Sequence, residues 1–302
     1  MEEGLFSKTA LITAYIRAYH AAHDTPKIFD DFMAHRLVTA EEWRSLGLDV
    51  PESIPEAEDP AVCRGRPAAL TWWIKVIAGS IIARARYIED ALDQAVRQKK
   101  IEQYVILGAG LDTFALRRPE MLERLRVFEI DHPATQAFKR RRLAEANIEL
   151  PGNLRFIPLD FAAESLSEAL KGSHYDPGTP AFFSWPGVTF YLKRKDVMAV
   201  FGDVADLAQK GSRIVFDYLD EGFFAPDNPH YSVQLVLENV RLAGEPMLTG
   251  FAPPKLAAEL AQLGLIIRED LCAAQVETNF LMGQTRGYHA GLYTHFAQAE
   301  VE

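Results

Sequence analysis

The sequence predicts an α/β protein built on a doubly wound, mostly parallel sheet. Three observations carry this. From residue 101 onward, short apolar runs alternate with stretches of helical spacing. The first run leads straight into a glycine turn, YVILGAGLD at 104–112. The next two end in carboxylates, EID at 129–131 and LDF at 159–161. Apolar strands separated by helices mean a parallel sheet covered on both faces.

The elements follow in order. Residues 7–23 (SKTALITAYIRAYHAAH) have helical spacing, with Ser7 as N-cap. A second helix is expected around PKIFDDFMAHRLV, 26–38. DVPESIPEAEDPAV, 49–62, holds three prolines and five acids and reads as a loop. A long helix is expected over 66–99, bent at Gly79 and ending on lysines that suit the helix dipole. The strands are IEQYVILGAG at 101–110, LRVFEID at 125–131, NLRFIPLDF at 153–161, PAFFSWPGVTFYL at 180–192 and GSRIVFDYLD at 211–220. Helices are expected between them at 115–125, 133–147, 163–171 and 193–210. The stretch after the fifth strand, about 221–252, is too long for a crossover and reads as a lid. A helix (PPKLAAELAQLG), a strand (LIIRED) and a closing strand within YHAGLYTHFAQ complete the chain.

Composition excludes several classes of function. The chain has 302 residues, 48% apolar and 25% charged, with a net charge of −10. An acidic chain repels phosphate backbones, so nucleic acid is not an expected partner. The one basic run, Lys139 to Arg142, reads as a solvated helix face. Cys63 and Cys272 form neither a disulfide framework nor a zinc site, and both are expected reduced. The histidines lack metal-ligand spacing. No apolar run approaches the roughly 18 residues of a membrane span. MEEGLFSKTA is acidic where a signal peptide is basic. A soluble, cytoplasmic protein is expected.

The glycine turn and the acids define a ligand. In open α/β sheets, ligands sit at the carboxyl ends of the strands. A dinucleotide fingerprint needs a third glycine where Thr113 stands. Gly108 and Gly110 still allow close approach, and Asp112 favours a cation over a pyrophosphate. Glu129 or Asp131 suits ribose hydroxyls, Asp160 an adenine amino group and Phe161 its face. Taken singly, each acid also suits a helix N-cap. Together they describe a site for an adenosine carrying a positive charge, such as S-adenosylmethionine.

The residues also carry a family resemblance. TALITAYIRAYH…PKIFDDFMA, ARARYIEDAL at 83–92, VILGAGLDTFALR, VFEIDHPATQAFKRRRL, FIPLDF and GVTFYL occur in the order seen in one family. The chain resembles the bacterial branch of the leucine carboxyl methyltransferase-like family. That branch consists of S-adenosylmethionine-dependent methyltransferases, described as O-methyltransferases of polyketide or other secondary metabolism. The resemblance implies a class I methyltransferase sheet in the order 3-2-1-4-5-7-6, the last strand antiparallel. It implies an N-terminal helical cap (1–95) on a Rossmann-like catalytic domain (96–302). It assigns Arg84 to the methionine carboxylate of the cofactor, Gly108 and Gly110 to the turn, Asp131 to the ribose, and Asp160 and Phe161 to the adenine. Arg86 reads as an ion pair with Glu89 or Asp90 on its own helix. One departure stands out. The protein-methylating members carry an acid–glycine pair where this chain has Pro186-Gly187, which leaves contacts there to the backbone and to Trp185 or Val188.

The implied function is methyl transfer to a small-molecule hydroxyl or carboxyl group. The alternatives are carboxyl methylation of a protein C-terminus, a nucleotide-dependent oxidoreductase on the same fold class, and a non-catalytic module that binds the cofactor. A hydroxyl acceptor needs a base. His174, His230 and His289 are candidates, none of them assigned, and Tyr191 and Tyr218 are candidates to orient an acceptor. Arg241 is the arginine of the lid and the expected partner of a carboxylate acceptor; Arg241 and Glu245 otherwise read as surface pairing. Trp72, Trp73, Phe223, Phe224 and Phe251 are candidates for an apolar pocket.

Overall fold

The structure is a computed structural model that describes residues 6–39, 41–42, 66–99, 101–242, 244–283 and 287–302. Side chains of 66–74, 99, 231 and 242 lie outside the described set. Cys63, the expected loop at 49–62 and the side chains of Trp72 and Trp73 therefore fall outside it.

Seven strands form one sheet in the order β3-β2-β1-β4-β5-β7-β6, as the resemblance implies. They are β1 (Gln103–Leu107), β2 (Arg126–Asp131), β3 (Leu154–Pro158), β4 (Ala181–Trp185), β5 (Arg213–Leu219), β6 (Leu265–Cys272) and β7 (Thr294–Val301). The first five pair in parallel, and β7 runs antiparallel to both β5 and β6. Strands β1, β4 and β5 are buried along their whole length, which is why their sequences are mostly apolar, with Gln103, Ser184, Arg213 and Asp217 as the polar exceptions.

The strand period of two sorts the side chains onto two faces. On one, Tyr104, Ile106, Val127, Phe182 and Val215 meet Ile82, Ile88 and Leu92 of the long helix α2 (Arg66–Lys99). On the other, Val105, Phe128, Phe183 and Phe216 meet α6 (Leu166–Lys171), α7 (Arg194–Leu207) and α9 (Pro253–Gln262). Helix α1 (Lys8–His23) is capped by Ser7, whose hydroxyl accepts Ala10 N–H at 3.0 Å. It packs against α5 (Pro133–Glu145) through Leu11, Ala14, Phe138 and Leu143.

Several expectations are corrected. Residues 26–38 form one 3₁₀ turn, Ala34–Arg36, not a helix. Their polar groups bind side chains instead: His20 Nε2 accepts Ile28 N–H and Phe29 N–H, and Asp31 accepts Ala34 N–H. Helix α2 is continuous over Arg66–Lys99, as expected, Gly79 included. There a Cβ would lie 2.3 Å from the carbonyl oxygen of His289, so the glycine serves a backbone contact. The helix expected at 115–125 splits into α3 (Phe114–Arg117) and α4 (Pro119–Leu122), because Pro119 excludes helical geometry at Arg118. Strand β4 stops at Trp185, before Pro186 and Gly187. Between β5 and α9, the segment expected to form a lid carries α8 (Tyr231–Leu242).

The basic run is not simply a solvated face. Lys139 is buried and ion-paired with Glu129. Burial pushes the Glu129 carboxyl up to about 7, against the opposing pull of Lys139. Because that value lies above the ordinary glutamate range, ionised Glu129 favours folding less as the pH rises through 7. Lys139→Met removes its partner and should destabilise the fold at pH 8 by about 3–5 kcal/mol in urea denaturation, with a smaller loss at pH 6. A pH-independent loss below about 1 kcal/mol would show that the pair is not what holds α5 to β2.

Candidate cofactor and acceptor site

At the carboxyl ends of β1, β2, β4 and β5 lies a cavity of about 770 Å³, roofed by α1, α2 and the lid. Arg84, Gly108, Gly110, Asp131, Asp160 and Phe161 all line it. These residues span the chain from α2 to the turn after β3, and the parallel sheet brings them together.

The glycine turn follows β1. The N–H groups of Gly108 and Ala109 donate to Ile130 O at 2.8 and 3.1 Å, tying the turn to β2. Gly108 has φ +68°, and a Cβ there would lie 2.3 Å from Val188 Cγ2. Asp112 Oδ1 accepts Phe114 N–H at 2.7 Å and so starts α3. Asp131, at the end of β2, accepts N–H groups from Gly110 and, at 2.6 Å, from His132. Burial nevertheless pushes its carboxyl up to about 6. Glu129 does not line the cavity, since it faces Lys139. Asp160 Oδ1 accepts Ala162 N–H at 2.9 Å, and the Phe161 ring lies 6.1 Å from that of Trp185. Val188 lines the cavity, whereas Trp185 is buried in the core behind it.

Sequence reasoning missed Asp217. It sits inside the apolar run of β5 and pairs with Arg84. Its other oxygen accepts Gly187 N–H at 2.6 Å. Gly187 has φ +70°, and a Cβ on it would come within 2.8–3.1 Å of the Arg84 guanidinium. The glycine after Pro186 therefore makes room for the arginine.

A second buried network lies beside the turn. Asp31 bridges Arg17 at 2.8 Å and Arg117 at 3.2 Å, and accepts the Thr113 hydroxyl. Burial raises the Asp31 carboxyl, but Arg17, Arg117 and Thr113 outweigh it and hold it below the ordinary range. Arg117 also pairs with Glu89 of α2. Arg86 pairs with Asp90 at 2.7 Å on the exposed side of α2, as expected.

The lid end of the cavity is apolar, with Phe223, Val236, Val240 and Met247, and carries three polar groups together. Glu245 accepts the N–H of Thr9 at 3.1 Å and the Thr9 hydroxyl. Tyr191 hydrogen-bonds Thr9, and burial raises its phenol well above the usual value. Surface pairing for Glu245 is thus corrected. Arg241 is exposed on α8 and does not line the cavity. His230 rests on the ring of Tyr293, His289 pairs with Glu277, and His174 is exposed at the opposite end of the sheet. None of the three lines the cavity. Tyr218 bonds Asp270 on the far face. Phe251 is in the core, and Phe224 packs under the lid. Among the described residues, no His, Cys, Asp and Glu group is arranged to hold a metal ion.

Comparison with known proteins gives concordant results. The profile of the leucine carboxyl methyltransferase family matches residues 10–205. The chain is 34% identical over 311 aligned residues to YktD of Bacillus subtilis (strain 168), 99% of each chain being covered. That protein's name assigns it to the S-adenosyl-L-methionine-dependent methyltransferases. A Mycolicibacterium vanbaalenii protein named for the same activity is 30% identical over 208 residues, 69% of this chain and 65% of its own. A DUF574-family protein from Streptomyces avermitilis MA-4680 shares the fold, with a TM-score of 0.62 at 14% identity over 98% of both chains.

The close approach at Gly187 has a measurable consequence. Gly187→Ala adds left-handed strain of about 1–2 kcal/mol and drives a methyl group into the Arg84 guanidinium. Thermal unfolding should fall by several degrees. An unchanged midpoint would mean that Gly187 does not hold this left-handed conformation in solution.

Proposed function

The chain belongs to the leucine carboxyl methyltransferase family and is an S-adenosylmethionine-dependent methyltransferase; on that premise we propose that it methylates a hydroxyl oxygen of a small, largely apolar acceptor. Acceptors of secondary metabolism, polyketides among them, belong to this class. We read residues 1–95 as a cap on a catalytic domain of 96–302, with the lid at about 221–252. No helix among the described residues is long and apolar enough to cross a membrane, and we read the protein as cytoplasmic.

The residues of the cavity fit the cofactor. In this reading Arg84 takes the methionine carboxylate and Asp131 the ribose hydroxyls. Asp160 takes the adenine amino group, and Phe161 covers the ring. Gly108 and Gly110 let the backbone come close. Acids around the turn suit a cationic sulfonium and oppose a pyrophosphate, and family membership sets aside the oxidoreductase alternative. When bound, the cofactor supplies an electrophilic methyl group for in-line displacement. The chain's own part is alignment and exclusion of water.

One observation carries the choice of acceptor. The charged group at the lid end is a carboxylate, Glu245, while each guanidinium lining the cavity already has an acid partner: Arg17 with Asp31, Arg84 with Asp217, Arg117 with Glu89. Lys193 and Lys195 stand exposed at the rim. A carboxylate acceptor would be desolvated beside a like charge. A hydroxyl instead finds Tyr191 and Thr9 to orient it and Glu245 to receive its proton. Pro186 in place of an acid also supports a small acceptor over a protein C-terminus.

The purified enzyme tests this reading. With a labelled methyl donor, phenols and aliphatic alcohols should be methylated and matched carboxylic acids should not; turnover of acids alone contradicts the hydroxyl reading. Glu245→Gln should lower kcat by roughly 10²-fold while affinity for S-adenosylhomocysteine stays unchanged. Asp131→Asn should weaken S-adenosylhomocysteine by about tenfold or more, as charge-assisted bonds of about 1.5–3 kcal/mol each are lost. Since Asp131 ionises near pH 6, wild-type affinity should be full above that pH and fall as the pH drops through it. A profile in the Asn variant that keeps the same step would assign the titration to a group other than Asp131.

A further inference from the structure

The end of β5 carries a buried charged group inside an otherwise apolar face. Val215, Asp217 and Leu219 share one face of the strand, the face toward α2. Two of the three are apolar. Asp217 is the exception, with a side chain 4% exposed, and it lines the cavity opposite Arg84, 13% exposed. A buried carboxylate at this position is costly unless its oxygens are satisfied. Gly187 N–H and Arg84 satisfy one contact on each oxygen. The backbone is fixed as well, since the Thr189 hydroxyl donates to Asp217 O at 2.7 Å.

We propose that Asp217 is the specificity-determining residue for the amino-acid tail of the cofactor: it holds Arg84 in place and accepts the tail's ammonium group. The proposal rests on the cofactor reading above. The capacity is there. An ionised carboxylate has about four acceptor positions, and two are used. The bond to Asp217 engages one of about five N–H donors of Arg84, so the guanidinium keeps donors for a carboxylate. The charge balance makes the pair selective. Arg84 alone would attract any anion. With Asp217 against it, the pair is neutral and presents a positive and a negative group side by side in a site shielded from water. Its complement is a zwitterion with an adjacent carboxylate and ammonium, which is the α-amino-acid end of the cofactor. A ligand carrying only a carboxylate would leave Asp217 facing it as a like charge. Position 186, after β4, holds proline, so the acid of this subsite comes from β5.

The test is calorimetry with three adenosyl ligands: S-adenosylhomocysteine, its deaminated analogue, and 5′-methylthioadenosine, which has no tail. Wild-type protein should bind S-adenosylhomocysteine at least tenfold more tightly than the deaminated analogue. Asp217→Asn keeps the volume and an acceptor for Gly187 N–H. It should lose that preference while binding 5′-methylthioadenosine within twofold of wild type, which also reports an intact nucleoside site. Equal wild-type affinity for S-adenosylhomocysteine and the deaminated analogue overturns the proposal without recourse to any variant. So does an Asn variant that keeps the tenfold preference, or one that weakens all three ligands alike. Failure of all three ligands to bind wild-type protein contradicts the cofactor reading itself, a result distinct from the loss of tail discrimination.

Discussion

Charges buried over the carboxyl ends of the strands must be paired, and here the partners come from different layers of the fold. Helix α2 contributes Arg84 and Glu89; β5 and α3 answer with Asp217 and Arg117. Helix α1 contributes Arg17, which meets Asp31. Removing one member of such a pair leaves a lone buried charge, and that is far more costly than removing both. The pairs therefore fix how the roof helices sit on the sheet. The cavity is the space that remains once those contacts are made, so its shape depends on the pairing as much as on apolar packing.

Much of the sheet was legible in the sequence, for a simple reason. Strands buried on both faces are continuous apolar runs, and the helices between them have their own period, so both signals are local. The same locality exposed the glycine turn and the acids that end β2 and β3. What could not be read were pairings across long stretches of chain. Asp217 lies within IVFDYL, which reads only as a strand, and its partner is 133 residues earlier. Glu245 looks like a lid surface residue until Thr9, 236 residues away, is found against it. Lys139 sits in a basic run that suggests solvent, yet the fold turns it inward to Glu129. The segment 26–38 has helical spacing, but His20 and Asp31 claim its backbone donors.

The two ends of the cavity differ in kind. One is polar, with paired charges, backbone donors and acids set about the glycine turn. The other is a lid of apolar side chains tied to α1 through Glu245 and Thr9, and to the segment after β4 through Leu248 N–H on Phe190 O. Methyl transfer asks for this division. In the proposed reading the polar end would hold a charged donor in one orientation, and the apolar end would keep water from competing with the acceptor.

The central claim is that the cofactor lies with its tail at the Arg84–Asp217 pair and its ribose at Asp131. A crystal structure of the S-adenosylhomocysteine complex tests it most directly. The account predicts the ligand carboxylate within hydrogen-bond distance of the Arg84 guanidinium and both ribose hydroxyls on the Asp131 carboxylate. A ligand bound in the reverse sense, or outside this cavity, would contradict it.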